Sequence, residues 1–247
     1  MATSEEITLT VLRELPAWLE REPTLRQRLR ASLVDIAADR LQAMTYAEFL
    51  EWADEDSLAE WVDAEVVMTS PASRQHQNLS DFLLSVLRTY VEYRRLGITI
   101  SAPFQMKLAN GREPDLLFVA NEHLDRLRQN FLDGPADLVM EIVSPESAGR
   151  DRGEKYYEYA QGGVPEYWLI DPQTRWVEVY TLAVDHYRTL FAGRDGVARS
   201  VQAPGFWLRV EWLWQSLLPA MDDVLLTIDG EAYARHLIER LRARGYL

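Results

Sequence analysis

A chain of 247 residues with 47% hydrophobic content and 8 Trp is long and apolar enough for a sizeable core. The absence of cysteine excludes disulfides, zinc thiolate sites and thiol nucleophiles, and it fits a reducing cytoplasm. A net charge of −13 argues against broad adhesion to nucleic acid, which needs clustered Lys and Arg, so any DNA contact must be local or metal-assisted.

The first residues, Met1-Ala2-Thr3-Ser4-Glu5-Glu6, lack the basic segment and apolar run of a secretory signal. No later stretch holds enough consecutive apolar residues for a span, so no membrane association is expected. Residues 1–42 read as a helical N-terminal extension, with Leu9, Leu12, Leu15, Leu19, Leu25, Leu29, Leu33 and Ile36 near helical spacing and breaks at Pro16 and Pro23. A main domain is expected over 43–225 and a C-terminal helix over 226–247, with Gly230 to Leu247 carrying its amphipathic pattern. Thr45, with Glu48 three positions on, resembles a capping box. Eight acidic residues fall between Glu48 and Glu65, and a solvated acidic face is the plain reading of that run.

Trp61 to Met68 alternates as a half-buried strand or hairpin, with Val62, Ala64, Val66 and Met68 on one side. A helix is predicted from Ser73 to about Arg95, its apolar face carrying Leu79, Leu83, Val86, Leu87 and Tyr90, with Gly97 ending the run. Ile98 to Leu108 then alternates throughout and predicts one long strand. A turn at Asn110-Gly111 leads to a short apolar strand over Asp115–Val119, and a further buried strand spans Asp137–Val143. Asp151 to Gln161 is predicted helical, Glu166 to Ile170 a strand, and Trp176–Leu182 and Tyr187–Phe191 antiparallel strands. This order describes an α/β fold, a mixed central sheet flanked by helices with extra antiparallel strands.

Glu141 shares a strand face with Val139 and Val143, and a carboxylate inside an apolar run needs a compensating partner. Asp115, which opens another buried strand, poses the same question. Two such acids on neighbouring strands repel unless a cation lies between them, and hard oxygen ligands favour Mg²⁺ or Mn²⁺. An arginine salt bridge, or strand-end exposure of Asp115, answers the spacing equally well. The chain holds 24 Arg and only 2 Lys, Lys107 and Lys155, so a lysine hints that a compact ammonium is wanted. Lys155 follows the Glu141 strand with Tyr159 one turn away; an ammonium there can orient an attacking water, or be a solvated helix lysine. Gln105 and Lys107 share the polar face of the long strand, where they line a substrate path or an ordinary solvent face. His76 stands near the start of a helix, and HExxH, P-loop, GxGxxG and GxSxG patterns are absent.

Glu141-Ile142-Val143-Ser144-Pro145-Glu146-Ser147, Arg150-Asp151, Lys155, Tyr159 and Gly163-Val164-Pro165-Glu166-Tyr167-Trp168-Leu169-Ile170-Asp171 together resemble the Uma-two family of restriction-endonuclease-like proteins. Glu60-Trp61-Val62-Asp63-Ala64-Glu65, Met68-Thr69-Ser70-Pro71, His76 and Glu113-Pro114-Asp115 fall in the family's order. The resemblance covers roughly 44–215 and leaves the first 42 residues outside it. It implies a restriction-endonuclease-like PD-(D/E)XK core that hydrolyses DNA with a metal held by Asp115, Glu141 and the Ile142 carbonyl. Glu65 and His76 are further candidates for the metal shell. In that superfamily a lysine follows the second acid by two positions; Val143 stands there, and the resemblance implies that Lys155 takes its role. Ala64 departs from the glycine usual in the early hairpin.

Two functions follow as expectations, a metal-dependent endonuclease and a nuclease-fold binding or regulatory protein with little hydrolysis. Pairing into a homodimer is expected by analogy alone.

Overall fold

The computed structural model describes residues 44–53, 59–68, 72–145 and 147–247. The helical extension expected over 1–42 lies outside the described residues, as do Asp54, Glu55 and Asp56 of the acidic run. By its contacts the chain divides into two compact units, 1–49 and 50–247. In the first, Thr45 N donates to the Glu48 carboxylate at 2.7 Å and Glu48 N donates to Thr45 Oγ1 at 3.2 Å. This is the expected capping box, and it opens helix α1 (Tyr46–Trp52).

The second unit begins with a hairpin of β1 (Ala59–Val62) and β2 (Glu65–Met68). Its turn residues Asp63 and Ala64 have φ of 50° and 65°, the left-handed pair a tight hairpin needs. That is the physical reason glycine suits position 64, and Ala64 occupies it under strain. Helix α2 (Arg74–Arg94) starts where Ser73 Oγ accepts the amide of His76 at 3.2 Å, and it ends with Arg95 in the left-handed region. Gly97 has a different task from ending the helix. It lies in β3 (Gly97–Ser101), where a Cβ would stand 2.0 Å from the Val119 carbonyl oxygen, so the close approach of two strands requires glycine.

The single strand expected over Ile98–Leu108 is two strands in two sheets. β3 joins the larger sheet, and β4 (Gln105–Lys107) joins the smaller one. Pro103 has no amide hydrogen for a ladder, so the side-chain alternation continues through a break in pairing. β5 (Gly111–Arg112), β6 (Leu116–Ala120), a 3₁₀ turn over Asn121–Arg126, β7 (Phe131–Asp133) and β8 (Leu138–Ile142) follow. Then come short helices α3 (Ala148–Arg152) and α4 (Glu154–Gln161), and strands β9 (Glu166–Asp171), β10 (Trp176–Ala183) and β11 (His186–Gly193). A small ribbon of β12 (Val197–Arg199) and β13 (Trp207–Arg209) precedes a 3₁₀ turn over Val210–Trp214 and helix α5 (Met221–Ala243). α5 begins before the expected position and is kinked at Asp229.

The smaller sheet has the order β2-β1-β5-β4-β7 and the larger β11-β10-β9-β8-β6-β3. Only β8 and β9 pair in parallel in the larger sheet, so it is mixed. Its alternation divides the core. Leu116, Phe118, Leu138, Met140 and Ile142 pack with the apolar side of α2 and residues of α5. Leu117, Val119, Val139 and Val143 pack with Tyr159 and Ala160 of α4. Each fully buried aliphatic side chain contributes roughly 1.5–3 kcal/mol, so packing on both faces anchors the central strands. No described helix is long and apolar enough to cross a membrane.

Candidate active site

β6 and β8 run antiparallel with Leu116 opposite Met140 and Leu117 opposite Val139. Continuing that register by one position sets Asp115 across from Glu141, both on the side of the sheet that faces α4. Asp115 stands just before β6, and its Oδ2 accepts the amide of Ile142 at 2.7 Å. The two acids therefore meet at the end of the strand pair, beside a cleft of ≈ 820 Å³ that both line.

Glu141 is 3% exposed. Lys155 Nζ donates to its Oε1 at 2.9 Å, and Tyr159 OH donates to the same oxygen at 2.7 Å. The partner that burial demands is thus a lysine and a tyrosine from one face of α4. Burial pushes the Glu141 carboxyl up, to about 8; Lys155 opposes the rise, and Asp115 and Asp151 add to it. Lys155, 6% exposed, also lies 3.2 Å from Glu60 Oε1 and 3.8 Å from Asp151 Oδ1. Burial disfavours its charge, but Glu141, Glu60 and Asp151 more than reverse this and hold the ammonium above its ordinary range.

His76, in the first turn of α2, places Nε2 3.2 Å from Asp115 Oδ2. Burial lowers its proton affinity, while the Asp115 carboxylate, the Glu141 charge and the Ile142 carbonyl outweigh that effect and raise it. Among the described residues its buried Nδ1 has no hydrogen-bond partner. Asp115, Glu141, Ile142, Lys155 and His76 all line the cleft.

The remaining residues singled out by sequence lie elsewhere. Tyr159 is buried behind Glu141. Gln105 is buried one step back, donating to Glu113 Oε1 at 2.8 Å and to the Ala59 carbonyl at 2.9 Å. Lys107 turns into its own hairpin, with Nζ bonded to the Leu108 and Ala109 carbonyls and 4.3 Å from the centre of the Trp61 ring. Glu65 is exposed at the start of β2. Neither of these last two is among the residues that line the cleft.

Glu60 is the main residue that sequence reasoning missed. The solvated acidic face does not extend to it. Glu60 is buried, accepts from Arg112 Nη1 at 3.0 Å and from the Glu113 amide at 3.2 Å, and reaches Lys155. Those contacts outweigh burial and hold its carboxyl below the ordinary range. Its parity with Val62 on β1 was the available signal. Asp151 was missed as well. It is buried on the cleft wall, one oxygen accepts from Ser147 Oγ at 2.5 Å, and among the described residues Oδ1 has no hydrogen-bond partner. Its spacing of four residues from Lys155 puts both on one helical face. Arg112 then ties the site to α4, donating to Glu158 Oε2 at 2.9 and 2.7 Å.

The donor set fits a hard divalent cation. Glu141 Oε2 and Asp115 Oδ1 accept no hydrogen bond from a described residue, because the bonds above fall on Oε1 and Oδ2. Among the described residues no three His, Cys, Asp or Glu side chains form a ready metal site. A cation here would draw on two carboxylates, the Ile142 carbonyl and water, the mixed oxygen shell that Mg²⁺ accepts.

The chain has relatives of known fold. A crystal structure described as "a putative nuclease belonging to DUF820" from Anabaena variabilis ATCC 29413 superposes with a TM-score of 0.60 at 19% identity, covering 69% of this chain and 97% of that one. The likeness establishes a shared α/β fold. No curated protein sequence matches. The family model for Uma2, described as "Putative restriction endonuclease", matches residues 46–211. That span covers Glu60, His76, Asp115, Glu141 and Lys155 and exceeds half of the chain, which therefore belongs to the Uma2 family.

Proposed function

We propose that this protein is a metal-dependent endonuclease that hydrolyses DNA phosphodiester bonds in the cytoplasm. The observation that carries the reading is the pair Asp115 and Glu141, register neighbours at a strand end, each with one carboxylate oxygen left unbonded beside a cleft. Asp115, Glu141 and the Ile142 carbonyl would hold Mg²⁺ or Mn²⁺. When bound, such an ion supplies charge neutralisation and a more acidic water. The chain's own contribution is positioning. Lys155 fixes Glu141 Oε1, so the carboxylate cannot rotate away from the cleft. The Ile142 amide fixes Asp115 in the same manner. The Lys155 ammonium also brings positive charge to a place where a phosphate would gain it. By analogy with nucleases that pair to cut two strands, the proposal includes pairing of two copies, which sedimentation with a duplex tests.

A second reading, a nuclease-fold binding protein without hydrolysis, is favoured by one observation. His76 and Lys155 already give the two acids partners from the protein. Plasmid nicking in Mg²⁺ or Mn²⁺, measured beside Asp115→Ala and Lys155→Ala, separates the two. The endonuclease reading expects cleavage that both variants lose. Equal residual nicking by all three proteins would reject it.

A further inference from the structure

The basic side chains of the cleft other than Arg150 are already engaged by carboxylates of the protein. Lys155 is engaged by Glu141, Glu60 and Asp151, and His76 faces Asp115. Arg112 is buried behind the site among Glu60, Glu154 and Glu158. Arg150 is different. It is the one arginine among the described residues that line the cleft. Among the described residues its buried Nε has no hydrogen-bond partner. Asp151 beside it feels its charge, but takes its hydrogen bond from Ser147. A buried guanidinium N–H with no acceptor is costly, and its presence points to an acceptor that arrives from outside. The guanidinium fork matches the geometry of a phosphate.

A second feature opens on the same cleft. Ser73, Gln75 and Gln77 at the start of α2 line it, and the first turn of this 21-residue helix has no acidic side chain. The amino end of a helix favours an anion.

We propose that Arg150 is the phosphate-gripping residue of the cleft: it binds a backbone phosphate of the nucleic-acid strand, with the amino end of α2 favouring the same charge. This rests on the nuclease reading and adds to it a contact that locates the substrate. A single local grip is also how a chain of charge −13 can engage DNA without a broad basic surface.

Binding of a short fluorescein-labelled DNA duplex in Ca²⁺, followed by anisotropy over a range of salt, tests it with wild type, Arg150→Gln and Arg150→Lys. Mg²⁺-dependent thermal shift is recorded for the same three. Arg150→Gln is expected to bind roughly tenfold to a hundredfold more weakly, with the salt slope reduced by about 0.9. Arg150→Lys keeps the charge and so the slope, but loses affinity because an ammonium cannot form the two-pronged contact. The thermal shift stays in all three. A residue that only supported the fold would alter melting without changing the slope. Equal affinity and slope in the three proteins overturns the grip, and a retained thermal shift then leaves the metal reading standing. Failure of wild type to bind the duplex also overturns the grip; loss of the thermal shift as well removes the nuclease reading with it.

Discussion

Asp115 receives the amide hydrogen of Ile142 at 2.7 Å, and this bond ties the first acid of the site to the strand that carries the second. One oxygen of Asp115 therefore positions the side chain. The charge of the group is a separate property, and the two can be separated by substitution.

Asp115→Asn retains an oxygen for the Ile142 amide and removes the charge. Metal-free stability should change by less than about 1 kcal/mol, because the pair lost with His76 is partly exposed. The rise in melting temperature with Mg²⁺ should disappear, since a ligand stabilises the native state only when it binds there. Differential scanning fluorimetry with and without Mg²⁺ measures both. A full metal shift in this variant would remove Asp115 from the binding set.

Lys155→Met keeps much of the side chain's length and deletes its charge. Glu141, Glu60 and Asp151 are then left facing one another in a buried place. Breaking such a cluster costs about 3–5 kcal/mol. In wild type the proton affinity of Lys155 is raised above the ordinary 10.5, so its own titration takes away stability only as pH rises above that value, and any change at lower pH comes from its carboxylate partners. The gap between variant and wild type should narrow as pH falls and the orphaned carboxylates take up protons. Urea unfolding at a series of pH values tests this. A gap independent of pH would mean that the lysine acts through packing alone.

The centre of the site was legible because strand alternation and charge conflict at Glu141. A carboxylate on the face shared by Val139 and Val143 must be answered, and Lys155 with Tyr159, one turn apart, could answer it. The identity of the answer was not legible, since a lysine, an arginine and a metal ion all satisfy the same spacing. Glu60 was hidden because acidic neighbours on both sides make its segment read as solvated, while its partner Arg112 lies 52 residues away. Lys107 and Gln105 misled for the opposite reason. Alternation runs on through Pro103, so nothing in the pattern shows that pairing stops and that the following strand enters another sheet.

Glu113 gives the metal-free protein a pH dependence of its own. Burial pushes its carboxyl from the ordinary 4.5 to about 7; the Gln105 hydrogen bond and Lys155 oppose the rise, and Glu60 adds to it. The native state therefore holds this proton more tightly than the unfolded chain does. Its contribution to stability falls as pH rises from about 4.5 to about 7 and is constant on either side. Glu113→Gln mimics the protonated form and should remove that decline, so the variant gains on wild type across the same window. Unfolding free energies measured in EDTA check this, and parallel pH profiles for the two proteins would refute it.

Glu166 resembles Glu141 as a buried glutamate on a central strand, yet its bonds assign it a different role. Oε1 accepts from Trp168 Nε1 at 2.5 Å, and Oε2 accepts from Ser200 Oγ at 3.2 Å and from the amides of Val201 and Gln202 at 2.7 and 2.8 Å. Both oxygens are used, so no acceptor remains for a ligand. It sits at the start of β9, whereas the cleft meets Pro172 and Gln173 beyond the other end of that strand, a distance of about 16 Å along it. Glu166→Gln turns an amide N–H₂ toward one of these donors and leaves it unsatisfied, at a cost of about 1–3 kcal/mol. Stability should fall by that amount while the Mg²⁺ shift and any nicking activity persist. Glu141→Gln should do the reverse for the metal, abolishing the shift. If Glu166→Gln removes the metal response from a protein that still unfolds cooperatively, the two glutamates are coupled, and the unbonded oxygen of Glu141 is not what distinguishes them.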